Sequence, residues 1–151
     1  MNNKFFFPGL AALFLAIMGI YFLVNPSYEK SIQAQYYYEI GDYKEAYKRA
    51  NEAFGLDVYN RMASTIMAQS KTAMKYQKYI DQAKQYMAEI NKIADKDTIS
   101  DADRAKMKMM SEIMIDSYKK LAPSVITDNK LVREAAKYYS DFEKILETVN
   151  R

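Results

Sequence analysis

Residues 5–24, FFFPGLAALFLAIMGIYFLV, contain no charged side chain. A helix of that length rises about 30 Å, which is the thickness of the hydrocarbon core of a bilayer. A helix that is apolar on all sides has no face to offer water, which suits lipid. A secretory leader would satisfy the same constraint, but its apolar region normally runs about 7–15 residues and ends in small side chains. Here the run closes on Phe22, Leu23 and Val24. The expectation is therefore an uncleaved anchor in residues 1–24, in contact with the lipid bilayer through residues 5–24. Without any Cys in the chain, lipid attachment through a cysteine is excluded.

Pro8 and Gly9 fall in the first turns of this helix, where the early N–H groups lack intrahelical partners and proline costs little. Tyr21 is placed for the headgroup layer. Lys4 and the amino terminus compete with Lys30 across the short flanks, which favours the N-terminus inside and residues 25–151 on the far side. In a Gram-negative bacterium this makes a single-pass inner-membrane protein with a periplasmic domain, where a chain without Cys avoids unwanted disulfides.

Beyond the anchor the chain reads as helical. Four Gly and three Pro in 151 residues supply too little turn chemistry for a many-stranded β fold. Asn25 can cap a helix with Pro26 at its first position, running to a turn at Gly41 and Asp42. A second helix would extend from Asp42 to Phe54 and close on Gly55 in the left-handed conformation, and Asp57 would cap a third. Tyr59, Met62, Ile66, Ala73 and Met74 recur on one helical face, as do Ile80, Ala83, Met87, Ile90 and Ala94. Between these two sets, residues 75–78 are either a break or the middle of one long helix.

Ser100 and Asp103 form a capping-box pattern ahead of the stripe Met107, Met110, Met114, Tyr118 and Leu121, which stops before Pro123. From about Asp128 a final helix carries Leu131, Ala135, Tyr138, Phe142, Ile145 and Val149. That stripe suits either the core of its own domain or a homo-oligomer seam. Val132, Ala136, Tyr139 and Leu146 widen the apolar face and favour the core. The expected architecture is all-α: an N-terminal transmembrane helix, then one antiparallel helical-hairpin domain over residues 25–151, with about five or six helices.

The segment AQYYYEIGDYKEAYKRANEAFGLD at residues 34–57 resembles a tetratricopeptide repeat, a helix pair of about 34 residues that stacks on its neighbours. Ala34, Ala46 and Ala53 stand at small packing positions, Tyr37 at an aromatic one, and Gly41–Ala46 at the turn between helices. Lys30 departs from a bulky apolar preference and Val58 from the terminal proline, and no second GDYKEA turn occurs near Lys75. The resemblance implies a scaffold whose first helices line a groove for protein partners. By repeat position, Tyr28, Gln35, Tyr38 and Glu39, with Gln69 and Thr72 from the next pair, would face that groove. Tyr36 joins them because Tyr36, Tyr37 and Tyr38, about 100° apart on a helix, cannot all face inward.

The chemistry available is limited. With neither His nor Cys, the chain offers no imidazole base, thiolate or Cys/His zinc site. Lys4 is the one basic residue before position 25, so residues 25–151 hold 21 basic against 19 acidic side chains. Their interleaving, as in YIDQAKQ and DFEKILE, excludes the basic stripe of a nucleic-acid binder. Met107, Met109, Met110 and Met114 suggest soft ligands for Cu(I), but Met110 and Met114 lie on the amphipathic face, where Met is a core filler. Asp101 with Asp103 and Glu112 with Asp116 fit a helix start and a solvated face better than a cation site.

The expectation is a non-catalytic, membrane-anchored adaptor or structural subunit, without catalytic residues, metal or cofactor, that binds protein partners within a larger assembly of the membrane. The alternative is an exported soluble helical protein that binds a small ligand or copper after loss of its leader.

Overall fold

The computed structural model describes residues 6–122 and 127–150. The four residues 123–126 and both chain ends lie outside the described set, and with them Lys4, Phe5 and Pro123. The described residues form six helices and no strand: α1 (Phe6–Val24), α2 (Pro26–Glu39), α3 (Tyr43–Leu56), α4 (Arg61–Ala94), α5 (Asp101–Lys119) and α6 (Asn129–Val149). They divide into two compact units, residues 1–71 and 72–151, so that α4 contributes its first eleven residues to one and the remainder to the other.

In the first unit a single residue joins α1 to α2. The Asn25 N–H donates to the Tyr21 carbonyl at 3.0 Å, and its Oδ1 accepts the Ser27 N–H at 3.0 Å, so Asn25 ends one helix and caps the next. Every described side chain of α1 is exposed, Phe7 at 70% and Val24 at 72%. Among the described residues no single helix is long and apolar enough to cross a membrane, although Phe6–Tyr21 together with Pro26–Glu39 passes as a pair bent by 76°.

Gly41, with φ of +84°, turns the chain in a conformation that L side chains rarely adopt. Asp42 then caps α3 through the Glu45 N–H at 3.0 Å. Ala34, Ala46 and Ala50 are fully buried. Without bulk beyond Cβ they bring α2 and α3 close together, and with Ile66 of α4 they form a core against which Tyr37, Tyr38, Met62 and Met67 pack.

A buried polar knot closes the same unit. The Asn60 side-chain amide donates to the Ser27 hydroxyl at 2.8 Å and to the Ser31 hydroxyl at 2.9 Å. Ser27 donates in turn to the Ala53 carbonyl at 2.9 Å, and Ser31 to the Ser27 carbonyl at 3.0 Å. Asn60 Oδ1 accepts the Ala63 N–H at 3.0 Å and so caps α4. All three side chains are essentially inaccessible to solvent, where each unmade bond would cost the full desolvation of its group.

These contacts correct several sequence expectations. Asn60, not Asp57, caps the third helix, while Asp57 instead accepts the Tyr59 N–H at 2.9 Å. Tyr59 therefore precedes the helix and is 88% exposed rather than part of its apolar stripe. Gly55 is helical, since α3 continues to Leu56 and Gly41 is the one described residue of positive φ. No break occurs at residues 75–78, because α4 runs unbroken for 34 residues. Ala94 is exposed, and Ile93 takes the last buried position of α4.

The second unit packs the later part of α4 with α5 and α6. α5 runs antiparallel to α4, tied by Lys96–Asp103 at 2.7 Å and by Lys106–Glu89. Lys84–Glu134 links α4 to α6 at 2.9 Å. Ser100 and Asp103 exchange the reciprocal bonds of a capping box, and hydrogen bonds from Lys96 and Ser100 hold the Asp103 carboxyl below its ordinary range. The core comprises Tyr76, Tyr79, Ile80, Ala83, Ile90, Ile93, Met107, Met110, Met114, Ile115, Ala135 and Phe142. Along α6, Ala135 and Phe142 are buried in this core, and the half-buried Leu131, Val132, Tyr138, Tyr139, Ile145, Leu146 and Val149 pack against it. Tyr118 stacks on Tyr139 with ring centroids 4.5 Å apart and lies tilted against Tyr79 at 5.8 Å.

Three substitutions test this account, each followed by urea titration of the full chain in detergent micelles. Asn60→Ala removes a cap and two buried donors and is expected to cost about 2–4 kcal/mol, while Ser64→Ala, at a half-buried α4 position whose hydroxyl bonds the local Arg61 carbonyl, stays within about 0.5 kcal/mol. The buried Tyr79 hydroxyl has no hydrogen-bond partner among the described residues, and burial raises its pKa. The folded state thus favours the neutral phenol, a contribution fully present below the unfolded pKa of about 10 and lost as pH rises toward the folded value. Tyr79→Phe is expected to be neutral or stabilising at pH 7 and to flatten the loss of stability above pH of about 10.

Candidate protein-binding cleft

Within the first unit, α2 and the start of α4 enclose an open cleft of about 360 Å³ lined by Gln35, Tyr38, Arg61, Met62, Thr65, Ile66 and Gln69. Gln35 and Tyr38 are one turn apart on α2. Arg61, Thr65 and Gln69 step by four along α4, as do Met62 and Ile66, which places both rows on neighbouring strips of one face. Ile66, 2% exposed, forms the floor, and the half-buried Tyr38 and Met62 form apolar walls. Tyr38 is held edge-on to Tyr43 at 5.3 Å, so its ring is fixed by the α2–α3 pair. Gln35 donates through Nε2 to Glu39 Oε1 at 2.9 Å. Arg61 supplies the only charge among the lining residues.

The sequence-expected surface is partly assembled here. Gln35, Tyr38 and Gln69 line the cleft together, and Glu39 is attached to its edge through Gln35. Tyr28 is half-buried nearer the start of α2, outside the lining. Tyr36 is 60% exposed and meets Tyr37 edge-on at 5.6 Å, also outside the lining. Thr72 is a half-buried residue of α4 belonging to the second unit. Arg61, Met62, Thr65 and Ile66 were not expected as site residues. The signal that would have found them is Asn60, since a helix capped there puts residues 61–69 beside α2.

Met107, Met110 and Met114 are 8%, 2% and 0% exposed in the second core, whereas Met109 is 53% exposed. Among the described residues no group of three or more Asp or Glu side chains is arranged to hold a metal ion.

A second concavity, about 470 Å³, lies at the elbow between α1 and α2 and is lined by Ile17, Ile20, Tyr21, Val24, Asn25 and Pro26. Its surface is almost wholly apolar, in contrast to the mixed lining of the α2–α4 cleft.

Hydrogen bonding to Lys30 lowers the pKa of Glu52, and the pair bridges α2 and α3 at 2.6 Å beside the buried knot. Both side chains are about one-third exposed, so solvent screening keeps the contribution small. Comparison with protein-family models, with curated proteins and with solved structures returns no match.

Lys30→Ala tests the electrostatic reading of this end. The Glu52 carboxyl should then titrate closer to the ordinary carboxylate range in side-chain NMR, and an unchanged titration would contradict the ion pair as its cause.

Proposed function

We propose that this chain is a non-catalytic, membrane-anchored adaptor or structural subunit that holds a protein partner in the α2–α4 cleft. The observation that carries the reading is the direct junction of α1 to α2. An uncharged helix with every described side chain exposed continues, through Asn25 alone, into the unit that forms the cleft. Exposed phenylalanines and leucines at this density are costly in water and favourable in hydrocarbon. The uncharged run 5–24 has the length of a single span, about 30 Å as a helix.

The resemblance of residues 34–57 to a tetratricopeptide repeat supports a partner-binding role. α2 and α3 stand as one helix pair, α4 begins where the next first helix would, and the cleft lies between these two first helices. Its lining joins apolar walls to two amides, a hydroxyl and one guanidinium, which suits a peptide segment or partner helix. Its lining holds no carboxylate, imidazole or thiol for acid–base or nucleophilic work. Tethering confines the cleft to a thin layer, where a high effective concentration lets modest affinity suffice. The favoured topology keeps the N-terminus inside, with the folded units on the far side, which is the periplasm of a Gram-negative cell.

The test is a mild-crosslinking pull-down of the full chain from native membranes, beside the double variant Gln35→Ala with Gln69→Ala. Both glutamines are half-buried on the cleft and outside the two cores, so the variant should fold. A defined complex should accompany the wild type and fall roughly tenfold or more with the variant, from about 1 kcal/mol or more at each position. Equal recovery from both would contradict the cleft as the binding surface.

A further inference from the structure

The turn between α3 and α4 carries an unusual exposed surface. Leu56, Val58 and Tyr59 are 56%, 59% and 88% exposed. The turn is not loose. Asp57 accepts the Tyr59 N–H through its carboxylate at 2.9 Å, and its carbonyl accepts the Asn60 N–H at 3.1 Å. Local bonding thus fixes a conformation in which Tyr59 projects outward, when the same turn might have covered the ring.

The buried knot decides where this tip lies. Asn60, the residue after Tyr59, is bonded to Ser27 and Ser31, and Ala53, three residues before Leu56, accepts from Ser27. Ser27 in turn stands three residues after Val24, the last residue of α1, across the single joining residue Asn25 and Pro26. The α3–α4 turn is therefore fastened to the first turn of α2, at the end of the unit from which α1 departs.

We propose that the Leu56–Tyr59 turn is a second membrane contact, an apolar tip that enters the interfacial layer of the bilayer beside the point where α1 emerges. The inference rests on the anchored reading of α1. Lipid is the indicated occupant because the turn is fastened to the first turn of α2, which follows the apolar helix across Asn25 alone. Its composition agrees: Leu56 and Val58 supply apolar area, and Tyr59 has the amphipathic ring suited to the headgroup level. The nearby charges show no basic excess, with Lys30 paired to Glu52, Asp57 offset by Arg61, and Glu29 in the first turn of α2. Insertion accordingly depends on apolar burial and not on anionic lipid. Two contacts, α1 and the turn, restrict rotation of the first unit about the axis of α1 and so give the cleft a defined height and heading above the membrane.

The chain contains no Trp, so a substituted Trp is a unique reporter. Full-length Phe14→Trp and Tyr59→Trp are reconstituted separately into phosphatidylcholine vesicles, with and without acyl chains brominated near the chain ends for Phe14→Trp and near the headgroup for Tyr59→Trp, and probed with aqueous iodide. Tyr59→Trp changes a side chain already directed at solvent, so the fold should tolerate it. The proposal expects bromine to quench both tryptophans, with the Tyr59→Trp emission blue-shifted and shielded from iodide. If Phe14→Trp is quenched while Tyr59→Trp stays unquenched by bromine and open to iodide, the turn does not enter the bilayer and the inference fails, with the anchor intact. If Phe14→Trp is itself unquenched, the anchored reading fails and the inference with it.

Discussion

The Asn60 side chain fixes the arrangement on which the first unit depends. Its amide bonds two serines of α2 while its oxygen starts α4, so one buried residue sets the approach of these helices. The cleft is the space that this approach leaves between Gln35 and Tyr38 on one side and residues 61–69 on the other. Ser27, at the centre of the knot, also holds the end of α3 through the Ala53 carbonyl. A network of this kind is worth most when every member is satisfied, as these three side chains are, and a half-satisfied version would be worse than an apolar contact.

The parts of the fold that could be read from sequence are those written in local chemistry. Asn25 and Ser100, read as caps, and Asp42 and Asp128, read as helix starts, each cap a helix by bonding an N–H two or three residues on, and such bonds need no tertiary context. Ala34, Ala46 and Ala53 were legible as close-packing positions because a small side chain among larger ones marks helix contact, and all three are fully buried. The misread parts depend on distant partners. Asp57 and Asn60 are both good capping residues, and the choice falls on Asn60 because Ser27 and Ser31, about thirty positions earlier, pay for its burial. That displaced cap hid Arg61, Met62, Thr65 and Ile66, although Gln35, Tyr38 and Gln69 were found from the repeat pattern. Tyr76 and Tyr79 were missed in the second core because they fall at and beside the undecided break at residues 75–78, between the two stripes read on what is one helix.

The two units make different use of apolar surface. In the second, the stripe of α6 packs on an internal core in which Met107, Met110 and Met114 of α5 are buried as adaptable fillers. In the first, much of the large apolar surface remains outside: α1, the elbow beneath it and the Leu56–Tyr59 turn. Exposed apolar surface concentrated near one junction, with a mixed polar cleft nearby on the same unit, is what supports the proposal that one end of the molecule meets lipid and another surface meets protein.

The central claim is that α1 stays on the chain and holds it in the bilayer. Alkaline carbonate extraction of native membranes, followed by intact mass measurement of the chain in pellet and supernatant, tests it most directly. The account predicts a carbonate-resistant species in the pellet at the full 17.6 kDa. Release into the supernatant, or a mass reduced by loss of the first 24 residues, would contradict it.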